Sequence, residues 1–563
     1  MQKQHQHGFT LPVILLISVG LMIVGLSLLQ STSSIRTSLD YQYHKRLANE
    51  AAEAGGVYAN YCLSVNSLDQ TWGSSQSNPN LAPNTDCSGD PLAFAPSYLV
   101  QNGTQRSSFS VGNLESTRSD GAIVIPATGS YEQTRGNTAA IADSLTNTRK
   151  RVVRWKEYKA SVSASGTYKT CAIVTNELYC WGKNGFYNTE YFDGQLGDGT
   201  TTDSLIPVKV TQSAGLLLGK VVDDVISEQY HNCALAQGKV YCWGRNLYGQ
   251  LGNGTTTDSP VPVEVGGALS GKTVTAIGGA SDVGCAIAES KVYCWGRNDQ
   301  GQLGDGTTTS RNTPTLISTT NFGSPYTPNL LSSSGSRAKS MCAIINSKAY
   351  CWGANNVGQL GDGTTTTRTS PVAVRANSGD VLYNKTIIAI SQDGYYNGNG
   401  SGIYPHVCVV ASDNKAYCWG ANTSGQLGDN STTNRSLPVA VRANSGDALY
   451  NKSVQDIVVG LQHSCALANS QVYCWGENSQ GMVGDNTSTD RRVPTAVYTG
   501  EDLAGKTVTA IGGGSNRGCA VADLTVFCWG KNSEGQLGDG TQDNRYKPTK
   551  SIFLSPKAPA YIF

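Results

Sequence analysis

The stretch Cys233-Ala-Leu-Ala-Gln-Gly-Lys-Val-Tyr-Cys242-Trp243-Gly244-Arg-Asn246, continued by Gly249-Gln250-Leu251-Gly252-Asn253-Gly254-Thr255, decides the fold. The same frame returns six times, pairing Cys171 with Cys180, Cys285 with Cys294, Cys342 with Cys351, Cys408 with Cys418, Cys465 with Cys474 and Cys519 with Cys528. A Trp-Gly step follows each second cysteine, from Trp181 through Trp529, and only Trp72 and Trp155 fall outside the frame. Successive second cysteines lie 62, 52, 57, 67, 56 and 54 residues apart. A period of that length marks a repeat architecture in which each unit buries its faces against its neighbours.

Within one unit, Val240-Tyr241-Cys242-Trp243 is apolar at every position, which predicts a strand covered on both faces. The Cys-Ala-Leu segment before it has the same character, and Gln-Gly between them is turn chemistry. Eight residues separate the cysteines in six pairs; in a tight hairpin that spacing sets them opposite one another, within disulfide reach. The pair of Cys408 and Cys418 has nine, so its turn at Ser412-Asp413-Asn414 should be one residue longer. Two further strands flank each hairpin, one like Val274-Thr-Ala-Ile277 before it, the other carrying Pro-Val, as at Pro207, Pro371 and Pro438, after the Gly-rich loop. Four strands per unit and seven units predict a mainly β chain built around a seven-bladed β-propeller.

The frame resembles the regulator of chromosome condensation repeat family, over residues 155–553, through its Cys/Ala-Leu, Val-Tyr-x-Trp-Gly-x-Asn and Gly-Gln-Leu-Gly pattern. The sixth unit departs mildly, with Gly481-Met482-Val483-Gly484. The nuclear roles of that family, nucleotide exchange on a small GTPase and chromatin binding, do not fit this chain. Its 563 residues carry a net charge of +1 and 15% charged residues, no field for nucleic acid. The even cysteine count at hairpin-bridging spacing favours disulfides and an oxidising compartment, with buried free thiols as the alternative.

The N-terminus supplies a route out of the cytoplasm. Met1 to Gly8 is polar, and Phe9 to Leu29 are 21 positions without a charge, enough to cross a bilayer as a helix. Gly8-Phe9-Thr-Leu before an apolar helix resembles a type IV prepilin leader, which implies cleavage after Gly8 and N-methylation of Phe9. A signal anchor that stays uncleaved is the alternative. Major pilins of that family carry a glutamate as the fifth mature residue; Val13 stands there, which fits a minor, tip-located subunit better than a shaft subunit. The expected organisation is therefore a leader (1–8), a membrane and stalk helix (9–56), a pilin-like α+β head (57–154), the propeller (155–553) and a tail (554–563). Strands are expected at Ser108–Val111, Ala122–Pro126 and Arg151–Trp155, with Cys62 and Cys87 as a local bridge.

Chemistry-bearing residues are few. His231, His406 and His463 each sit two residues before a repeat cysteine, which assigns them to blade architecture rather than catalysis. Cys-x8-Cys is not zinc-ligand spacing. Asp198, Asp305, Asp362 and Asp539 of the Gly-Asp-Gly-Thr loops offer one carboxylate each, better suited to turns than to calcium. No phosphate loop or triad is present, so the expectation is a non-enzymatic chain without metal or cofactor. Its partners would be other pilin subunits, the membrane before assembly, and an unknown protein or glycan on another surface. Two insertions mark the expected ligand loops: Phe186, Tyr187, Tyr191 and Phe192 in the first unit, and Tyr395, Tyr396 and Tyr404 in the fifth. Both emerge on one face of the disk, and Tyr with Gly and Asn is the composition of adaptable recognition loops. The expected function is a minor pilus subunit displaying an adhesive propeller. The alternative is a membrane-anchored extracellular propeller, a binding module or inhibitor outside any filament.

Overall fold

Alternating apolar runs and Gly/Asn turns leave little choice but antiparallel sheet, and a computed structural model of the chain shows that outcome. It describes strands at 99–100, 105–111, 123–134 and 141–153 by backbone alone. It also describes residues 160–553, apart from 165, 175–176, 186–193, 211–216, 218–219, 323–324, 334–337 and 395–404. The chain divides into two units, Met1–Glu157 and Tyr158–Phe563.

In the first unit, Leu99–Val100, Gln105–Val111, Ile123–Thr134 and Ile141–Val153 pair in chain order as one antiparallel sheet. The expected strand at 122–126 is longer than predicted, running to Thr134, and its partner begins at Ile141 rather than Arg151. Ala127-Thr-Gly-Ser130 has a loop's local preference, but pairing from Ile123↔Val153 to Gln133↔Asp143 overrides it. Among the described residues this unit is all β, so the α part of the expected α+β head has no described counterpart. The leader, Gly8, Phe9, the helix at 9–56, Cys62 and Cys87 lie outside the described residues. No helix among the described residues is long and apolar enough to cross a membrane.

In the second unit, seven four-stranded meanders are described, over residues 161–209, 222–264, 274–316, 328–373, 387–440, 454–496 and 508–550. We number these blades 1 to 7 and their strands A to D in chain order. Strands B and C form the predicted hairpin, with Cys233 opposite Cys242, Ala234 opposite Tyr241 and Leu235 opposite Val240. Strand D always carries a proline at its fourth position, as in Ser259–Glu264 with Pro262. A missing N–H is tolerated on an outer strand, and the C–D register shifts just there, between Cys242 and Gly244.

The core lies between blades. Ile226, Leu235 and Val240 of blade 2 pack with Val274, Ile277, Tyr293 and Trp295 of blade 3. The ring closes the same way, Val162, Ala172 and Trp181 of blade 1 against Val521 and Val526 of blade 7. Side-chain packing, not an exchanged strand, joins first blade to last. Each repeat tryptophan also donates its indole N–H to a backbone carbonyl of the preceding blade. Trp243 reaches Gln195 at 3.0 Å, Trp295 reaches Gln250 at 2.9 Å, and Trp181 reaches Gln536 at 3.0 Å across the closure. Gly252 must be glycine for this contact, because its φ is +66° and a Cβ would stand 2.7 Å from the Trp295 nitrogen.

Candidate binding faces of the propeller

The C–D loops are organised by one buried asparagine per blade. The side-chain nitrogen of Asn246 donates to the carbonyls of Thr255 and Thr257, while its oxygen accepts from the Leu251 N–H at 2.9 Å. Asn184, Asn298, Asn355, Asn422, Asn478 and Asn532 hold the same place and are fully buried. Next to it lies the loop aspartate. In blade 4 one oxygen of Asp362 accepts from Asn355, the Thr364 N–H and the Thr364 hydroxyl; the other accepts from Arg368 at 2.9 and 3.2 Å. Asp305, Asp429, Asp485 and Asp539 repeat this with Arg311, Arg435, Arg491 and Arg545. Burial pushes these carboxyls up, but the hydrogen bonds and the arginine outweigh it and hold each below its ordinary value. With their lone pairs committed to these donors, the aspartates lock the turns. Among the described residues, no cluster of three metal-ligating side chains occurs.

The cysteines close all seven hairpins as disulfides. Cys171 bonds Cys180, Cys233 bonds Cys242, Cys285 bonds Cys294 and Cys342 bonds Cys351. Cys408 bonds Cys418, Cys465 bonds Cys474 and Cys519 bonds Cys528. Every pair has a Cα separation of 4.1 Å, and no free cysteine occurs among the described residues, so the buried-thiol alternative falls away for these fourteen. The longer turn at Ser412 to Asn414 is accommodated without moving Cys408 from Cys418.

Two residues before each first cysteine, strand B begins with Lys169, His231, Val283, Ser340, His406, His463 or Arg517, and every one is buried. Five of them, Lys169, Ser340, His406, His463 and Arg517, take part in a polar girdle that links each blade to the next. Lys169 donates from Nζ to the carbonyls of Glu228 and Gln229. The Ser281 hydroxyl donates to Gln229, the Gly279 N–H to the Ser332 carbonyl, and Gln392 to the Ser340 carbonyl at 2.7 Å. His406 meets the Ser464 hydroxyl at 2.9 Å, and the Nε2–H of His463 donates to the Arg517 carbonyl at 3.2 Å. Arg517 completes the circle on Gly166, Thr167, Lys169 and Thr170 of blade 1. Burial lowers His231 to about 3, His463 to about 4 and Arg517 to about 9. Asp393 reaches past blade 6 to accept from the Ser515 N–H of blade 7 at 3.1 Å, which brings the A–B turns together at the axis. All three repeat histidines are buried at the start of strand B, and His406 and His463 bond across to the next blade. Lys169 and Arg517 occupy the same repeat position; counting back two from every first cysteine would have found them too.

The expected ligand loops are only bounded. Phe186, Tyr187, Tyr191 and Phe192, and Tyr395, Tyr396 and Tyr404, lie outside the described residues. Their stems are described: the Gln195 N–H donates to the Asn184 carbonyl beneath the first, and Gly394 abuts Pro405 beneath the second. Each insertion therefore leaves and rejoins its blade at one point, with the neighbouring strands in register.

Seven blades packed face to face and tied by indole bonds and a polar girdle define the class, a seven-bladed β-propeller. Regulator of chromosome condensation (RCC1) repeats match residues 237–287, 289–325, 346–391, 413–467, 469–521 and 525–559, so the propeller unit is an RCC1-repeat β-propeller. The ultraviolet-B receptor UVR8 of Arabidopsis thaliana is 28% identical over 406 residues, 69% of this chain and 81% of that protein. The E3 ubiquitin-protein ligase HERC2 of Mus musculus is 28% identical over 72% of this chain, which spans only 8% of that ligase. Among solved structures, yeast RCC1 (Prp20), bound there to Kap60, aligns at 19% identity with a TM-score of 0.53 over 72% of this chain and 92% of that one. Human WBSCR16 gives 17% identity and a TM-score of 0.53 over 70% and 94%. At such identities the structures support the fold alone.

Proposed function

We propose that this chain displays its propeller outside the cytoplasm as a binding module, and that it does so as a minor, tip-located subunit of a type IV pilus or related filament. The observation that carries the reading is the disulfide in every blade, all fourteen cysteines at most 1% exposed. A chain that builds seven such bridges into its core folds where thiols are oxidised. The prepilin-like Gly8-Phe9 step and the uncharged stretch to Leu29 supply the export route and the anchor. Non-enzymatic binding follows from how the polar groups are used: the loop aspartates, the loop asparagines and the girdle are turned inward on the fold. What varies is the inserted loops, and we assign ligand contact to Phe186, Tyr187, Tyr191 and Phe192 with Tyr395, Tyr396 and Tyr404. The partners are then other pilins along the N-terminal helix and a protein or glycan on a facing surface.

Replacing Tyr187, Tyr191, Tyr395 and Tyr396 by alanine tests the loop assignment in an adherence assay on whole cells. Adherence should drop at least tenfold with the propeller's melting temperature unchanged. Undiminished adherence would remove these loops from the function.

A further inference from the structure

The two longest D–A connections of the ring are near-copies, Arg375-Ala-Asn-Ser-Gly-Asp380 through Lys385 and Arg442-Ala-Asn-Ser-Gly-Asp447 through Lys452. Both are fixed internally. In the second, Arg442 bonds both Asp447 oxygens at 3.0 Å, the Asn444 N–H donates to Asp447, and Leu449 is buried beneath. Each loop then presents a tyrosine, Tyr383 at 47% and Tyr450 at 46% exposure. Locked backbone carrying an exposed ring is pre-organised for contact.

The copies differ in what surrounds the lysine that follows. Lys385 is consumed: its Nζ lies 3.3 Å from Asp413 and 2.7 Å from the Tyr417 hydroxyl. The carboxylate sits four residues before the aromatic of strand C, the place also held by Glu289 against Lys272 and by Asp523 against Lys506. In blade 6 that place is Asn469, whose side-chain oxygen accepts from the Ser453 N–H instead. Lys452 is left with no carboxylate, only the face of Tyr473 at 5.8 Å. Beside it, a pocket of about 370 Å³ is lined in part by the longer turn of blade 5, Asp413 to Lys415. Tyr450, Lys452 and Lys415 line it above a floor of Val441 and Leu449. The ammonium of the exposed Lys415 has no ion pair or hydrogen bond among the described residues. The carboxylate in the lining, Asp413, is already neutralised by Lys385 and the Tyr417 hydroxyl at 2.6 Å.

We infer that this pocket binds a carboxylate-bearing saccharide, a uronic acid unit of an acidic glycan. Two unpaired ammonium groups suit one carboxylate. The Tyr450 ring offers an apolar face to a sugar ring, and Asn451 and Ser453 offer partners to its hydroxyls. The volume is at the low end of ligand pockets, roughly 300–1,000 Å³, which suits one or two sugar units better than a folded partner. The B–C and D–A connections form this face, opposite the one bearing the inserted loops, so the inference stands apart from the loop assignment above.

Saturation-transfer NMR on the full-length oxidised chain tests it, with trigalacturonate as probe, maltotriose as neutral control and triglutamate as acidic peptide control. Transfer should appear with trigalacturonate alone and weaken with added salt. Tyr450→Ala and Lys452→Met should each reduce affinity at least tenfold. Tyr383→Ala on the twin loop should leave it unchanged. Lys415→Gln, at an exposed turn, gives the same readout if Lys452→Met does not fold. Absence of transfer, equal binding of triglutamate, or affinity unmoved by Tyr450→Ala and Lys415→Gln would each overturn the assignment.

Discussion

Asp362 shows how much one side chain does here: it satisfies three loop donors and fixes Arg368. Asp362→Ala should destabilise by about 2 kcal/mol, since it strands buried donors and an arginine together. Asp362→Asn should cost less than half of that, because blade 2 already uses Asn253 there with Ser259 in place of the arginine. Urea midpoints of the two variants check the ranking. Above pH 4, the girdle histidine His463 should weaken the fold on acidification before the loop carboxyls do. Burial brings His463 from 6.5 to about 4, and the nearby Arg517 adds to the shift while the bond to its carbonyl opposes it. Between those values the unfolded chain binds the extra proton, so the contribution of this residue is complete above pH 6.5, falls as pH drops, and levels off below about 4. The loss from this residue is about 3 kcal/mol. His463→Gln should flatten the melting temperature across that window, measured by calorimetry from pH 7.5 to 4. An unchanged slope would mean that His463 is not the group taking up the proton.

At the scale of elements, the hairpin and its bridge were legible because they are local. A short fixed step between cysteines, a turn and an all-apolar strand C set the register without knowledge of the rest of the chain. The indole bonds were not legible, because Trp295 and its acceptor on Gln250 lie in different units and only the ring brings them together. The same holds for the polar girdle, and for the hairpin of Ile123–Thr134 with Ile141–Val153, whose polar composition hides a strand that pairing sustains. Two predictions belong here. Removing one bridge by Cys285→Ser with Cys294→Ser should cost roughly 2–3 kcal/mol in the loop-entropy view. Trp295→Phe should cost about 2 kcal/mol, from a lost indole bond and a cavity beside Gly252. Both are read from denaturant midpoints under oxidising conditions.

For the whole molecule, the repeat made the blade number readable from sequence, and blade 7 closes on blade 1 through Trp181, Val162 and Val521. The proposed ligand contacts were less legible, because they lie in departures from the repeat. The Tyr-rich insertions announce themselves by length, while the exchange of a carboxylate for Asn469 shows its meaning only beside the unpaired Lys452. The most direct test of the account is mass spectrometry of the N-terminal peptide from material sheared off the cell surface. A chain beginning at N-methylated Phe9, recovered with filaments in substoichiometric amount, is the result predicted for a propeller carried by a minor pilin. An intact Met1 found in the membrane fraction and absent from sheared material would contradict it, leaving a propeller tethered to the cell outside any filament.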